Sequence, residues 1–127
     1  MSARPPHFYI VDDDLAFGKS LKRMLNARGI VADYFGSAQS FFDSVPPGQT
    51  GYAVVDLHMP GCDGFALMDK MLDMHYVMPV ILITGLAQVD TRDAAIQKGA
   101  VGYLQKPFSG ESLLELVNKQ EMDSSTP

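Results

Sequence analysis

The chain holds a single cysteine, Cys62, in 127 residues, so no internal disulfide can form. So little cysteine fits a reducing compartment, and the expected location is cytoplasmic. Cys62 lies in a Gly-rich turn without a basic neighbour and reads as a small incidental residue, not a reactive thiol. No apolar run approaches the roughly 18 residues needed to span a membrane. Residues 1–6 lack the apolar stretch of a secretory signal. Positive charge is scarce too, with Lys+Arg 10 against Asp+Glu 15 and a formal net charge of -5. That balance leaves no basic footprint for nucleic acid in this segment. There is no internal repeat and no low-complexity tract. What remains is the expectation of one domain of ordinary size, whose 46% hydrophobic content can build a sizeable core.

The apolar residues fall into five short runs of strand length, at 8–11, 31–35, 52–56, 79–83 and 101–105. Helical spacing fills the gaps between them. Asp14 is a good N-cap for a helix carrying Phe17, Leu21, Met24, Leu25 and Arg28, with Gly29 as its stop. Ser37 can cap a short helix bearing Phe41 and Phe42, ended by Pro46-Pro47-Gly48. A helix over 64–74 carries Phe65, Leu67, Met68, Met71, Leu72 and Met74, its methionines read as adaptable core filling. A helix over 89–98 is closed by Lys98 and Gly99. Ser109 or Ser112 caps the last, which carries Leu113, Leu114, Leu116 and Val117. Residues 118–127 turn polar and read as a frayed end or the start of a linker.

Strands alternating with helices predict an α/β fold: a parallel sheet covered on both faces, with right-handed crossovers. Parallel strands share a direction, so their carboxyl ends share one edge, where such sheets place ligands. Asp12 and Asp13, Asp56, Thr84 and Lys106 follow four of the runs and should converge there. Taken singly, each has a plain role as a cap, a turn residue, a strand-end hydroxyl or a solvated charge. Taken together, three carboxylates in one crevice repel one another and call for a hard divalent cation. Oxygen-only ligands favour magnesium. With a lysine and a hydroxyl alongside, the set suits a phosphoryl group, and a carboxylate can itself be the nucleophile that takes it.

Val11-Asp12-Asp13, Val55-Asp56-Leu57-His58-Met59-Pro60-Gly61, Ile83-Thr84-Gly85 and Tyr103-Leu104-Gln105-Lys106-Pro107-Phe108 together resemble the receiver domain of two-component response regulators. The resemblance runs from Phe8 to about Val117. It implies a doubly wound, flavodoxin-like three-layer sandwich with strand order 2-1-3-4-5. Residues 8–121 would be the receiver, 1–7 a flexible arm and 122–127 a tail or linker. By the same resemblance Asp56 accepts a phosphoryl group from a histidine kinase. Asp13 binds magnesium directly, Asp12 mainly through water, and the His58 carbonyl completes the protein ligands. Thr84 hydrogen-bonds one phosphoryl oxygen and Lys106 pairs with another. Tyr103 is the aromatic switch that turns inward when Thr84 moves, and the Lys106–Pro107 bond is cis. His58 and Leu86, two residues after Asp56 and Thr84, are expected to hinder water and lengthen the phosphorylated lifetime. Such a domain is a signalling switch, not an enzyme acting on a small molecule. The surface built by the fourth helix, fifth strand and fifth helix would signal to an output domain or downstream protein, or form a homodimer on phosphorylation.

Two other chemistries compete. A haloacid-dehalogenase-type phosphatase needs a second acid two residues after its nucleophile, where this chain has His58. A flavodoxin-like cofactor binder needs a Ser/Thr/Gly-rich phosphate loop after the first strand, where this chain has three aspartates. A degenerate receiver used only for protein contacts would not need the full acidic and basic set. Ile83-Thr84-Gly85 and Gly99-Ala100-Val101 look closest to receivers attached to helix-turn-helix or AAA+ outputs.

Overall fold

The three inner apolar runs become fully buried strands because helices cover both of their faces and leave no polar side to satisfy, while the two edge runs are only partly covered. The computed structural model describes residues 6–85 and 89–125. Along the chain these are β1 (Phe8–Val11), α1 (Leu15–Ala27), β2 (Ala32–Phe35), α2 (Ala38–Ser44) and β3 (Tyr52–Asp56). Then come α3 (Gly64–Asp73), β4 (Val80–Thr84), α4 (Val89–Gln97), β5 (Gly102–Gln105) and α5 (Gly110–Ser125). The sheet is parallel throughout, in the order β2-β1-β3-β4-β5. The expected doubly wound architecture and strand order are therefore present, with β3 at the centre and β4 beside it.

Alternate residues of the inner strands feed two cores. Tyr9, Val11, Ala53, Val55 and Leu82 face Phe41, Leu67 and Met71 of α2 and α3. Phe8, Ile10, Val54, Ile81 and Ile83 face Leu21 and Leu25 of α1 and Leu113 and Val117 of α5. Each fully buried side chain of this size contributes about 1.5–3 kcal/mol, which makes the inner strands the rigid base of whatever follows them. Of the methionines expected to fill core here, Met71 does and Met68 packs against it, whereas Met74, the residue after α3, is exposed.

The helix ends follow local chemistry. Asp14 and Ser37 accept the N–H groups of Phe17 and Ser40, as expected of caps. Ser109 caps α5, its Oγ accepting from the Ser112 N–H at 3.1 Å. Gly29 and Gly99 take positive φ after α1 and α4, and His75 does the same after α3, at φ 66. That role for His75 is invisible in the sequence because it is normally filled by Gly or Asn.

Helix α5 departs from expectation at its end, continuing through Ser125 where a frayed or linker-like end was expected. Leu113, Val117 and Glu121 recur every four residues and share one face. The third of these is an acid, so the apolar stripe stops while the helix does not. Glu121 is held because the hydroxyl of Tyr52, at the start of β3, donates to its Oε2 at 2.6 Å. His7, to which the sequence assigns nothing, stacks on Tyr9 with ring centroids 4.2 Å apart and pairs with Asp33 at 2.7 Å.

Candidate functional site

The carboxyl ends of β1, β3 and β4 bring three buried polar residues, Asp12, Asp56 and Thr84, to one edge. Asp12 follows β1 and is gripped on all sides. Its N–H donates to the Phe35 carbonyl at 3.1 Å, its carbonyl accepts the Tyr34 hydroxyl at 2.6 Å, and its Oδ1 accepts the Asp14 N–H at 2.9 Å. Its Oδ2 faces the Lys106 ammonium at 2.7 Å. Asp56 ends β3. Its Oδ1 accepts the His58 N–H at 3.1 Å, and its Oδ2 lies 3.6 Å from Lys106 Nζ. Asp13 is exposed at the mouth, and one oxygen from each of Asp12, Asp13 and Asp56 lies within 4.8 Å of the others. Thr84 ends β4, and its carbonyl accepts the Lys106 N–H at 2.7 Å, which fixes where the chain leaves β5. The Lys106–Pro107 peptide bond is cis.

Three carboxylates face one ammonium, so the pocket keeps excess negative charge. Burial, followed by the neighbouring Asp12, pushes the Asp56 carboxyl up to about 6, against the opposing pull of the His58 N–H and Lys106. Burial works against the Lys106 ammonium, but its close ion pair with Asp12 and the charges of Asp56 and Asp14 outweigh it, and the lysine pKa is raised. At neutral pH the arrangement is thus an ionised, unusually basic carboxylate beside a permanent cation. Its donor set is all oxygen, which fits a hard divalent cation and not a soft one.

Of the residues singled out in the sequence, Asp12, Asp56 and Thr84 are buried at this edge, half-buried Lys106 reaches in to them, and Asp13 stands at its rim. The His58 side chain is exposed, and its backbone N–H is what meets Asp56. Tyr103 sits on edge strand β5, half-buried against the core beneath α2, α3 and α4. Its hydroxyl is buried and has no hydrogen-bond partner among the described residues. Leu86 lies outside the described residues.

Several supports of the site carry no sequence signal of their own. Tyr34 holds the Asp12 carbonyl only because α1 has Gly18 beneath it, where a Cβ would stand 2.1 Å from the Tyr34 ring. A glycine inside a helical pattern is the one hint of such close approach. Gly64 opens α3 under the loop that leaves Asp56. A Cβ there would meet Leu57 Cα and Leu82 Cδ2 at 2.9 Å and the Asp56 carbonyl at 3.1 Å. Two of these neighbours are backbone and cannot swing aside. Gly64→Ala is expected to destabilise the fold by about 1–3 kcal/mol through overpacking. Urea unfolding measures this, and an unchanged midpoint would show that the loop has room.

The response regulator receiver domain model matches residues 8–118. The transcriptional regulatory protein FixJ of Bradyrhizobium diazoefficiens is 35% identical over 111 residues, covering 87% of this chain and 54% of its own length. The chain therefore spans about half of that curated relative. The crystal structure of FixJ-N superposes with a TM-score of 0.82 at 32% identity, covering 92% of this chain and 94% of that one. A response regulator from Burkholderia pseudomallei, solved with a phosphorylated aspartic acid, calcium ion and citrate, superposes at 0.75 with 25% identity, covering 95% and 75%. A match running from the first residue of β1 into α5, on a sheet wound in the same order, places this chain in the family of response regulator receiver domains.

Proposed function

We propose that this receiver takes a phosphoryl group on Asp56 from a histidine kinase and passes the event to an output. The observation that carries the reading is a buried, ionised carboxylate at the end of the central strand, 3.6 Å from a lysine ammonium and grouped with two further acids. An Asp56 oxygen forms the new bond to phosphorus as the P–N bond of the kinase phosphohistidine breaks. A carboxylate whose proton affinity is raised is the better nucleophile for this step, and it stays ionised above pH 6 or so. Lys106 neutralises charge on the transferring group, and the Thr84 hydroxyl donates to one of its oxygens. Asp13 and Asp56, the His58 carbonyl and, through water, Asp12 would hold magnesium. Bound there, the ion screens the acids from the incoming phosphate and stabilises the charge that develops on it.

The phosphoryl group adds about two negative charges at the ends of β3 and β4. Thr84 moves toward it and vacates space for Tyr103, whose buried hydroxyl then has reason to leave its present position. A coupling of about 1–3 kcal/mol suffices for a useful population shift. The face built from α4, β5 and α5 thereby changes shape and becomes the contact for an output domain, a downstream protein or a second copy. His58, two residues after the acceptor, and Leu86, two residues after Thr84 in the sequence, slow the in-line approach of water. The domain, spanning 8–121, works in the cytoplasm as a switch, and the transcriptional regulator among its relatives supports a transcriptional output. The Burkholderia structure with its phosphorylated aspartic acid supports the acceptor chemistry.

The test is incubation with acetyl phosphate and magnesium, followed by intact mass. The expected outcome is one added phosphoryl group on the wild-type protein and none on Asp56→Asn. Addition that persists in the variant would sink the assignment.

A further inference from the structure

Lys106 has a third neighbour besides its two carboxylates. Its Nζ stands 4.5 Å from the centroid of the Phe17 ring, within the range of a cation–π contact. Phe17 lies in the first turn of α1, where its N–H donates to the capping Asp14 Oδ1 at 3.1 Å, so the backbone under the ring is fixed. The Phe108 ring meets Phe17 at a centroid distance of 5.5 Å and an interplanar angle of 69°, so the ring is held from its other neighbour as well. Lys106 and Phe108 flank Pro107, so one short stretch of chain delivers both the ammonium and the brace to the same ring.

A lysine has four rotatable side-chain bonds and a compact charge that any nearby carboxylate can capture. Here Asp12 at 2.7 Å has the stronger claim, and Asp56 at 3.6 Å the weaker. Carboxylates alone would leave the position of Nζ dependent on which of them is charged and unshared at a given moment. An aromatic face attracts the ammonium without titrating and without offering a ligand atom to another cation.

We propose that Phe17 is a positioning residue of the phosphoryl-transfer site, forming the uncharged wall that holds the Lys106 ammonium opposite Asp56. The inference rests on the reading of Asp56 as acceptor and Lys106 as its cation. Phe17 itself touches no reacting atom, and its influence passes through Lys106.

The test keeps the shape of the ring and changes its charge distribution. Phenylalanine, then mono-, di- and trifluorophenylalanine are placed at position 17, and Phe17→Tyr and Phe17→Leu are made alongside. Uptake from acetyl phosphate is followed at saturating magnesium, and the Lys106 side-chain ¹³Cε resonance is titrated in the metal-free protein. The rate is expected to fall stepwise along the fluorinated series, by about 2- to 30-fold in all, the range a cation–π contact spans. The Lys106 titration midpoint should move down in the same order. Phe17→Tyr should restore the wild-type rate and Phe17→Leu should not. A merely structural ring would give a flat rate and a fixed midpoint across the fluorinated series, and that result overturns the inference while the wild-type protein still takes up phosphate. A wild-type protein that takes up none overturns the acceptor reading, and this inference with it.

Discussion

Replacing Lys106 by methionine is expected to slow phosphoryl uptake from acetyl phosphate by about 10²–10³-fold, the usual effect of deleting one fixed donor that meets developing charge. The same change should weaken the fold. Asp12 is fully buried and Lys106 is its ionic partner at 2.7 Å, so removing the ammonium leaves a buried carboxylate uncompensated. Breaking a buried pair in this way costs about 3–5 kcal/mol. The loss has a signature in pH. Lys106 holds the Asp56 carboxyl down, so without it Asp56 should bind a proton more readily. Protonation relieves the repulsion, hence the variant should lose more stability at pH 8 than at pH 5. Denaturant titrations at the two pH values measure this, with rates followed by intact mass. A variant as stable as the parent at both would mean that Asp12 finds another partner.

Asp56→Asn is expected to move stability the other way. In the metal-free protein burial and the Asp12 charge raise the Asp56 carboxyl from 3.8 to about 6. A group that holds its proton more tightly when folded stabilises the fold at low pH and loses that contribution as pH rises. The loss should run between about pH 4 and pH 6 and level off above, with a slope of at most about 1.4 kcal/mol per pH unit. Solvent relaxation around the carboxyl trims the total to about 1–3 kcal/mol. Asparagine carries no charge, so the variant should melt several degrees higher than wild type at pH 7.5, and its stability should change little across that window. Magnesium should raise the melting temperature of wild type more than that of the variant. Thermal melts from pH 4 to 8, with and without magnesium, check both points. A wild-type protein whose stability climbs from pH 4 to 6 would contradict the electrostatic account.

The inner strands were legible because double burial writes itself as unbroken apolar runs, and β1 (Phe8–Val11) begins and ends where its run does. The convergence of Asp12, Asp56, Thr84 and Lys106 was legible from topology, since parallel strands put all their ends on one edge. The magnesium ligands and the roles of Tyr103, His58 and Leu86 came from family resemblance instead. What escaped has a common cause, namely that the deciding neighbour is far away in sequence. Glu121 reads as solvent-facing until Tyr52 is found opposite it. Phe17 reads as one more core residue of α1 until Lys106 is seen over its ring. Gly64 reads as an indifferent helix start until the backbone of Leu57 is found against it. Periodicity reports which way a side chain points and carries no account of what it meets.

The unbroken run of α5 to Ser125 bears on how anything joined behind it would be aimed. A helix advances roughly 1.5 Å and turns about 100° per residue. With Glu121 pinned to Tyr52, the angular origin of that screw is tied to the strand that ends on Asp56. A cargo fused rigidly to this helix therefore swings by more than a quarter of a circle for each residue added or removed at the junction. Fusions that differ by a single alanine should consequently point their cargo in very different directions while leaving the signalling pocket untouched.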